Sequence, residues 1–207
     1  MDSKMINIII EALGQTIYMV FFSTLFASVL GFILGIIVTV TSPTGLRPNI
    51  FIYKSLDVII NVLRSFPFII LIVFIIPLTR AIVGTPIGET AAIVPLTIAA
   101  APFVARIIES ALKEVDPGVI EAAKSFGASN LQIIFKVMLK EAVPAIISGL
   151  TLTIINIIGY SAMAGSVGAG GLGKVAISYG YQRYQTDVMI VTVIILIIMV
   201  QGLQSLG

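Results

Sequence analysis

The chain has 207 residues, of which 58% are hydrophobic and 11% charged, with a mean hydropathy of +1.12 and a net charge of +2. Soluble domains carry about 25% charged residues, so the composition excludes one, and the near-neutral balance gives no argument for nucleic acid. With neither Cys nor His, thiol chemistry, disulfides, imidazole bases and the commonest metal ligands are excluded too.

Apolar runs of the roughly 20 residues that cross a bilayer core recur along the chain. They predict an all-α integral membrane protein, one domain over residues 1–207 with five transmembrane helices. The start, MDSKMINIIIEALGQT, holds one Lys and two acids and lacks the basic start and cleavage site of a removed signal peptide. Met5, Ile6, Ile9 and Ile10 fall at helical spacing and fit either a short interfacial helix or the beginning of span 1. Span 1 is predicted over residues 15–40. Gly31 and Gly35 within it form a small-xxx-small pair, for close packing within one chain or between two. Pro43, Gly45 and Pro48 mark a turn, and Arg47, Lys54 and Asp57 follow. Span 2 is predicted over residues 59–79 and span 3 over residues 91–112. Pro67 and Pro77 fall in the first, Pro95 and Pro102 in the second. Each proline removes a backbone hydrogen bond, which suits either a path that opens and closes or static packing around a kink. A polar stretch, residues 116–142, precedes span 4 (143–163). A glycine-rich segment, GSVGAGGLG, and YGYQRYQTD lead to span 5 (188–206). No basic tail follows span 5 before Gly207, which leaves open whether the chain is trimmed there.

Lys and Arg set the orientation. Arg47, Lys54, Arg106, Lys113, Lys124, Lys136 and Lys140 belong to the loops after spans 1 and 3, with Arg64 at a margin. Lys4, Arg80, Lys174 and Arg183 fall on the other side. The first group is read as cytoplasmic, which puts the N-terminus outside and the C-terminus inside.

Two motifs invite enzymatic readings. GAGGLGK, ending at Lys174, meets all but the last position of a phosphate-binding loop, and Gly168, Gly170 and Gly173 satisfy G-x-G-x-x-G. Both need a soluble strand before and a long helix after, and Val175 stands where a hydroxyl is required. The better reading is a tight segment where helices end and backbones approach closely. No G-x-S-x-G is present. Asp57, Glu109 and Asp187 sit at span margins, where solvated or snorkelling groups are expected. Enzymatic activity is not expected of this chain.

The polar stretch carries stronger signals. Asp116 suits an N-cap, Pro117 the first helical position and Gly127 a C-terminal cap, bracketing a short helix with Ile120, Ala123 and Phe126 toward one side. Ser129 and Gln132 predict a capping box for a second helix with Leu131, Ile134, Phe135 and Met138 on one face. Helices this short are marginal alone. They either dock on a partner or lie on the inner leaflet.

Glu121-Ala122-Ala123, three residues, then Gly127 resembles the EAA loop of ABC importer permeases. Val137 and Leu139 match its later apolar and Leu positions, and Lys140 departs from its final Pro. NVLRSFPFIILIVFIIPLTR, AAIVPLTIAAAPFVARIIESAL and IIGYSAMAGSVGAGGLG extend the likeness to the permease subunits of methionine importers over nearly the whole chain. The resemblance implies a homodimer in the bacterial inner membrane. Each chain would dock one of two cytoplasmic ATPase subunits through a coupling helix between spans 3 and 4. Glu121, Ala122, Ala123, Phe126 and Gly127 would form that contact. ATP and magnesium would belong to the ATPase, with no cofactor on this chain. An extracellular or periplasmic binding protein would deliver methionine. Met163 would help seal the path, and Asn156, Tyr160 and Ser161 would sit near it. The rival readings are the same fold carrying another amino acid, an ATP-independent channel or carrier, and an ATP-binding protein built on the glycine segment.

Overall fold

The computed structural model describes residues 3–206. Asp2 and Gly207, both used in the sequence reading, lie outside the described residues. The described residues fold into helices joined by short turns. Helix α1 (Ser3–Thr41) is continuous, so residues 3–13 begin span 1 and form no separate interfacial helix. Its 39 residues are about 58 Å long, well beyond a ~30 Å hydrocarbon core. After the turn come α2 (Ile50–Ser65), α3 (Phe68–Phe74), α4 (Ile76–Val83) and α5 (Glu89–Lys113). Next are α6 (Pro117–Ser125) and α7 (Asn130–Gly165), whose second turn is a π-helical stretch at Ile133–Met138. Short α8 (Gly171–Val175) runs into a π turn, Ala176–Tyr181, and α9 (Thr186–Leu206) follows.

Among the described residues, α1, α5, α7 and α9 are long and apolar enough to cross a membrane. A fifth crossing exists only if the pair α2–α3 counts as one span, and that pair is bent by 105°. The expected span 2 over residues 59–79, with Pro67 inside it, is broken at that proline into α2 and α3. Pro67 disfavours the α region for the residue before it. Phe66 accordingly adopts an extended backbone (φ −76°, ψ 123°), and the helix stops there. Pro95 and Pro102 behave differently, since α5 runs through both without a break.

Helix α5 is the centre of the molecule. Two-thirds of its apolar stretch is buried (67%), against 28% for α1 and α7 and 11% for α9. The exposed flanks of α1 and α9, including Ile10, Phe21, Val29, Ile194 and Ile198, are apolar, as lipid contact requires. The α1–α5 contact answers the question left by the glycine pair, because both glycines are spent within the chain. A Cβ on Gly31 would lie 2.5 Å from Val104 Cβ and 2.7 Å from Ala101 O; on Gly35 it would lie 2.6 Å from Ile108 Cβ and 2.7 Å from Ala105 O. Gly149 of α7 packs under the side chain of Ile107 on another side of α5, whose Cγ2 would collide with an added Cβ.

Gly35→Val is expected to destabilise the detergent-solubilised protein by at least the ~1–3 kcal/mol of an overpacked core. Gly14→Ala, with nothing within 4 Å, serves as the control. Equal thermal midpoints for the two variants would refute the close contact.

Candidate functional site

The polar stretch forms a capped elbow. Asp116 Oδ1 accepts the Gly118 N–H at 2.7 Å, and Pro117 opens α6 where a helix has no use for its N–H. At the far end Gly127 takes φ 77°. Its N–H donates to Lys124 O (2.9 Å) and that of Ala128 to Ala123 O (3.1 Å), the paired closure that satisfies the last carbonyls of a helix. Ser129 N–H then donates to Gln132 Oε1 (2.8 Å), and Gln132 N–H to Ser129 Oγ (3.3 Å), completing the capping box. These signals were correctly legible in the sequence.

Side-chain placement is less regular. Ile120, Ala123 and Ala128 pack against Leu112, Val115, Ile133, Ile134 and Met138. No residue of α6 is fully buried, and Phe126, expected beside Ile120 and Ala123, is instead 90% exposed. In the second helix Ile133, Ile134 and Met138 are the buried positions, while Leu131 and Phe135 are exposed. The π stretch turns by more residues per turn than an α-helix and so rotates the inward face away from the expected one. Glu121, Ala122, Phe126 and Gly127 thus share an open surface, with Ala123 turned partly inward. A cleft of about 300 Å³ separates α6 from the end of α1, with Ser42, Leu46, Lys113, Glu121 and Lys124 among its walls.

The candidate path residues divide. Asn156 and Met163, two turns apart, lie along one open face of α7, Met163 being 50% exposed. Tyr160 neighbours that face but is stacked on Phe68 of α3 (centroids 4.7 Å, interplanar angle 13°). Ser161 is buried and its hydroxyl donates to Ile158 O at 2.7 Å, so it supports the helix and does not share the open face.

A charged cluster went unread in the sequence. Arg106 Nη2 donates to Asp57 Oδ1 (2.7 Å) and Asn61 Oδ1 (3.0 Å), tying α5 to α2. Arg106 Nη1 donates to Glu109 Oε2, and Lys113 Nζ to Glu109 Oε1 (2.6 Å). Lys113 also lies over the Tyr53 ring at 5.7 Å. Glu109 is 2% exposed, which corrects its expected solvated or snorkelling state. The signal was available in the charges spaced i, i+3 and i, i+4 from Arg106 to Lys113; the partner on α2 was not.

The glycine-rich segment docks on α1. Gly170 and Gly171 have φ 90° and 75°. The Gly171 N–H donates to Gln15 Oε1 (2.8 Å) and the Leu172 N–H to Thr16 Oγ1 (2.9 Å). A helix, not a strand, precedes it, and amides a phosphate would need are already bonded within the chain.

Two outcomes test this geometry. Arg106→Met is expected to cost about 3 kcal/mol, because it leaves a buried carboxylate short of a partner; an unchanged thermal midpoint would contradict that. Gly127→Val forces a β-branched residue into a left-handed conformation at a cost of about 1–2 kcal/mol. It is expected to speed amide exchange across residues 117–127, and native exchange rates there would refute the cap's role.

A probable D-methionine transport system permease protein MetI of Vibrio cholerae serotype O1 is 52% identical over 201 residues, covering 97% of this chain and 89% of that protein. Its counterpart in Pasteurella multocida is 48% identical over 193 residues, covering 93% and 89%. A solved structure described as inward facing conformations of the MetNI methionine ABC transporter has a chain that superposes with a TM-score of 0.98. It is 45% identical, with 100% of this chain and 96% of that one covered. The family model described as binding-protein-dependent transport system inner membrane component matches residues 27–205. The bent α2–α3 pair, the capped elbow and the helical bundle around α5 therefore belong to a member of the binding-protein-dependent transport system inner membrane component family.

Proposed function

We propose that this chain is the permease subunit of an ATP-driven methionine importer of the bacterial inner membrane. The carrying observation is the likeness along the whole chain, at 45% identity and a TM-score of 0.98, to a chain of a methionine ABC transporter. Relatives of similar identity bear D-methionine in their names. The chain is the transport subunit; ATP and magnesium are handled by a separate ATPase. It works as a homodimer with two ATPase subunits on the cytoplasmic side and a binding protein delivering methionine from outside. The side rich in Lys and Arg is cytoplasmic, the N-terminus is outside and the C-terminus inside.

In this reading α6 is the coupling helix. Glu121 offers an exposed carboxylate for an ion pair, Ala122 lets the partner's surface approach, and Phe126 presents an unburied ring that a partner pocket would desolvate. Ala123 anchors the inner side, and Gly127 sets the angle of the elbow. Because α6 packs on Ile133, Ile134 and Met138 at the base of α7, displacement of α6 is delivered to a helix that also carries Asn156 and Met163. ATP binding shifts the inward–outward equilibrium only by its differential affinity for the two states, so this linkage must transmit force. Met163, whose thioether adapts to varied packing, would close the path against the second copy, with Asn156 and Tyr160 beside it and Ser161 supporting the helix.

The test is uptake of labelled methionine into proteoliposomes holding the chain, its ATPase and its binding protein, with ATP or ADP trapped inside. ATP-dependent uptake is expected. Glu121→Arg, reversing a charge at the docking surface, is expected to lower it more than about tenfold while leaving the thermal midpoint unchanged. Uptake indifferent to ATP would refute the importer; ATP-driven uptake of another solute alone would refute the substrate; full uptake by Glu121→Arg would refute the coupling role.

A further inference from the structure

The face of α7 opposite Met163 carries an unfilled groove. Two adjoining apolar recesses share Ser28 of α1. The first, about 290 Å³, lies among Phe32, Ile33, Val104, Ile108, Ile146 and Leu150. The second, about 550 Å³, continues past Phe21, Ile154 and Ile158 to Met199 and Leu203 of α9. On a helical projection of 100° per residue, Leu150, Ile154 and Ile158 fall roughly opposite Asn156 and Met163. The groove therefore faces away from the open face that carries Met163.

The groove is led into by a charged and apolar stripe. Val143 and Ile147 are exposed on the same side of α7, between the groove and Lys140. Lys140 stands about five helical turns before Ile158, hence on the same line, and Lys136 is roughly one turn further. Both lysines are exposed, and neither has an ion pair among the described residues; Glu141 projects to a different side of the helix. From Lys140 to Leu150 is about 15 Å of helix, which matches the half-thickness of a ~30 Å hydrocarbon core. The first recess, reached at Ile146 and Leu150, thus lies within one leaflet's depth of the lysines, and cations above an apolar recess at that depth are the two halves of a phospholipid. Lys140 is also the position at which the sequence departs from the EAA-loop pattern, where a proline was expected.

We infer that this groove holds an anionic phospholipid, with an acyl chain between α1 and α7 and the headgroup on Lys136 and Lys140. The bound lipid fills space that the helices leave open and ties the base of α7, where the capped elbow is seated, to the leaflet. A zwitterionic headgroup would forgo the net attraction to two unpaired lysines, so lipids of net negative charge are selected.

The chain purified in mild detergent from a mixed zwitterionic and anionic membrane can be read by native mass spectrometry. Retention of anionic lipid above its share of the membrane is expected. Lys136→Gln and Lys140→Gln together should lower it, by about fivefold for each lysine removed. Ser28→Phe, which fills the junction of the two recesses while leaving both lysines, should displace the same lipid. Each variant is checked for an unchanged thermal midpoint, with Ser28→Ala as the alternative small residue that should retain lipid. Equal retention of zwitterionic and anionic lipid, or retention unaffected by the lysine and Ser28→Phe changes, would overturn the inference. So would efficient disulfide cross-linking of Ile147→Cys between two copies, since the chain has no other cysteine and such a bond would mean that a second chain covers the groove.

Discussion

The close approach of α1 to α5 is the contact on which the other placements rest. In lipid there is no hydrophobic force to press two apolar helices together, so dispersion between well-fitted surfaces must hold them. Gly31 and Gly35 allow the backbone of α1 to meet Ala101, Val104, Ala105 and Ile108 directly. Gly149 leaves room on α7 for the side chain of Ile107. Helix α5 is thus gripped from two sides and becomes the buried axis. Its two prolines sit inside this packing, which is how a continuous helix tolerates them.

Fixing α5 also fixes its charged end. Arg106, Glu109 and Lys113 follow one another along it, and Asp57 and Asn61 are brought up by α2. A carboxylate as buried as Glu109 would be costly alone; two cations and the hydrogen bonds around them make its burial tolerable. The cluster ties α2 to the central helix on the same side as the elbow. Lys113 joins it to the cleft beside α6. At the other end of the molecule the glycine-rich segment folds back onto α1, where Gln15 and Thr16 take the amides that a turn of this kind exposes.

The elbow joins two different kinds of order. Its caps are local, made by residues within a few positions of each helix end. Its seat, on Ile133, Ile134 and Met138, is tertiary and passes through the π stretch into the long helix that bears Met163. A rigid cap on a packed seat links a small exposed helix mechanically to a span, and an apolar groove runs along the back of the same span.

By itself the sequence determined what is local or compositional. Apolar run length announced the spans, Asp116, Pro117, Gly127, Ser129 and Gln132 announced the elbow, and the glycine pattern announced tight packing, because propensity, capping and hydropathy act within a few residues of chain. Only the tertiary structure decided what depends on a distant partner. It showed which helix Gly31 and Gly35 touch, that the chain bends by 105° at Pro67, that Phe126 is exposed, and that Glu109 is buried between Arg106 and Lys113 near Asp57. A proline specifies that a helix is strained but not whether its neighbours absorb the strain: α5 ran through two prolines and the second span broke at one. Burial and pairing are properties of the assembled bundle, and no window of sequence contains the other side of a contact.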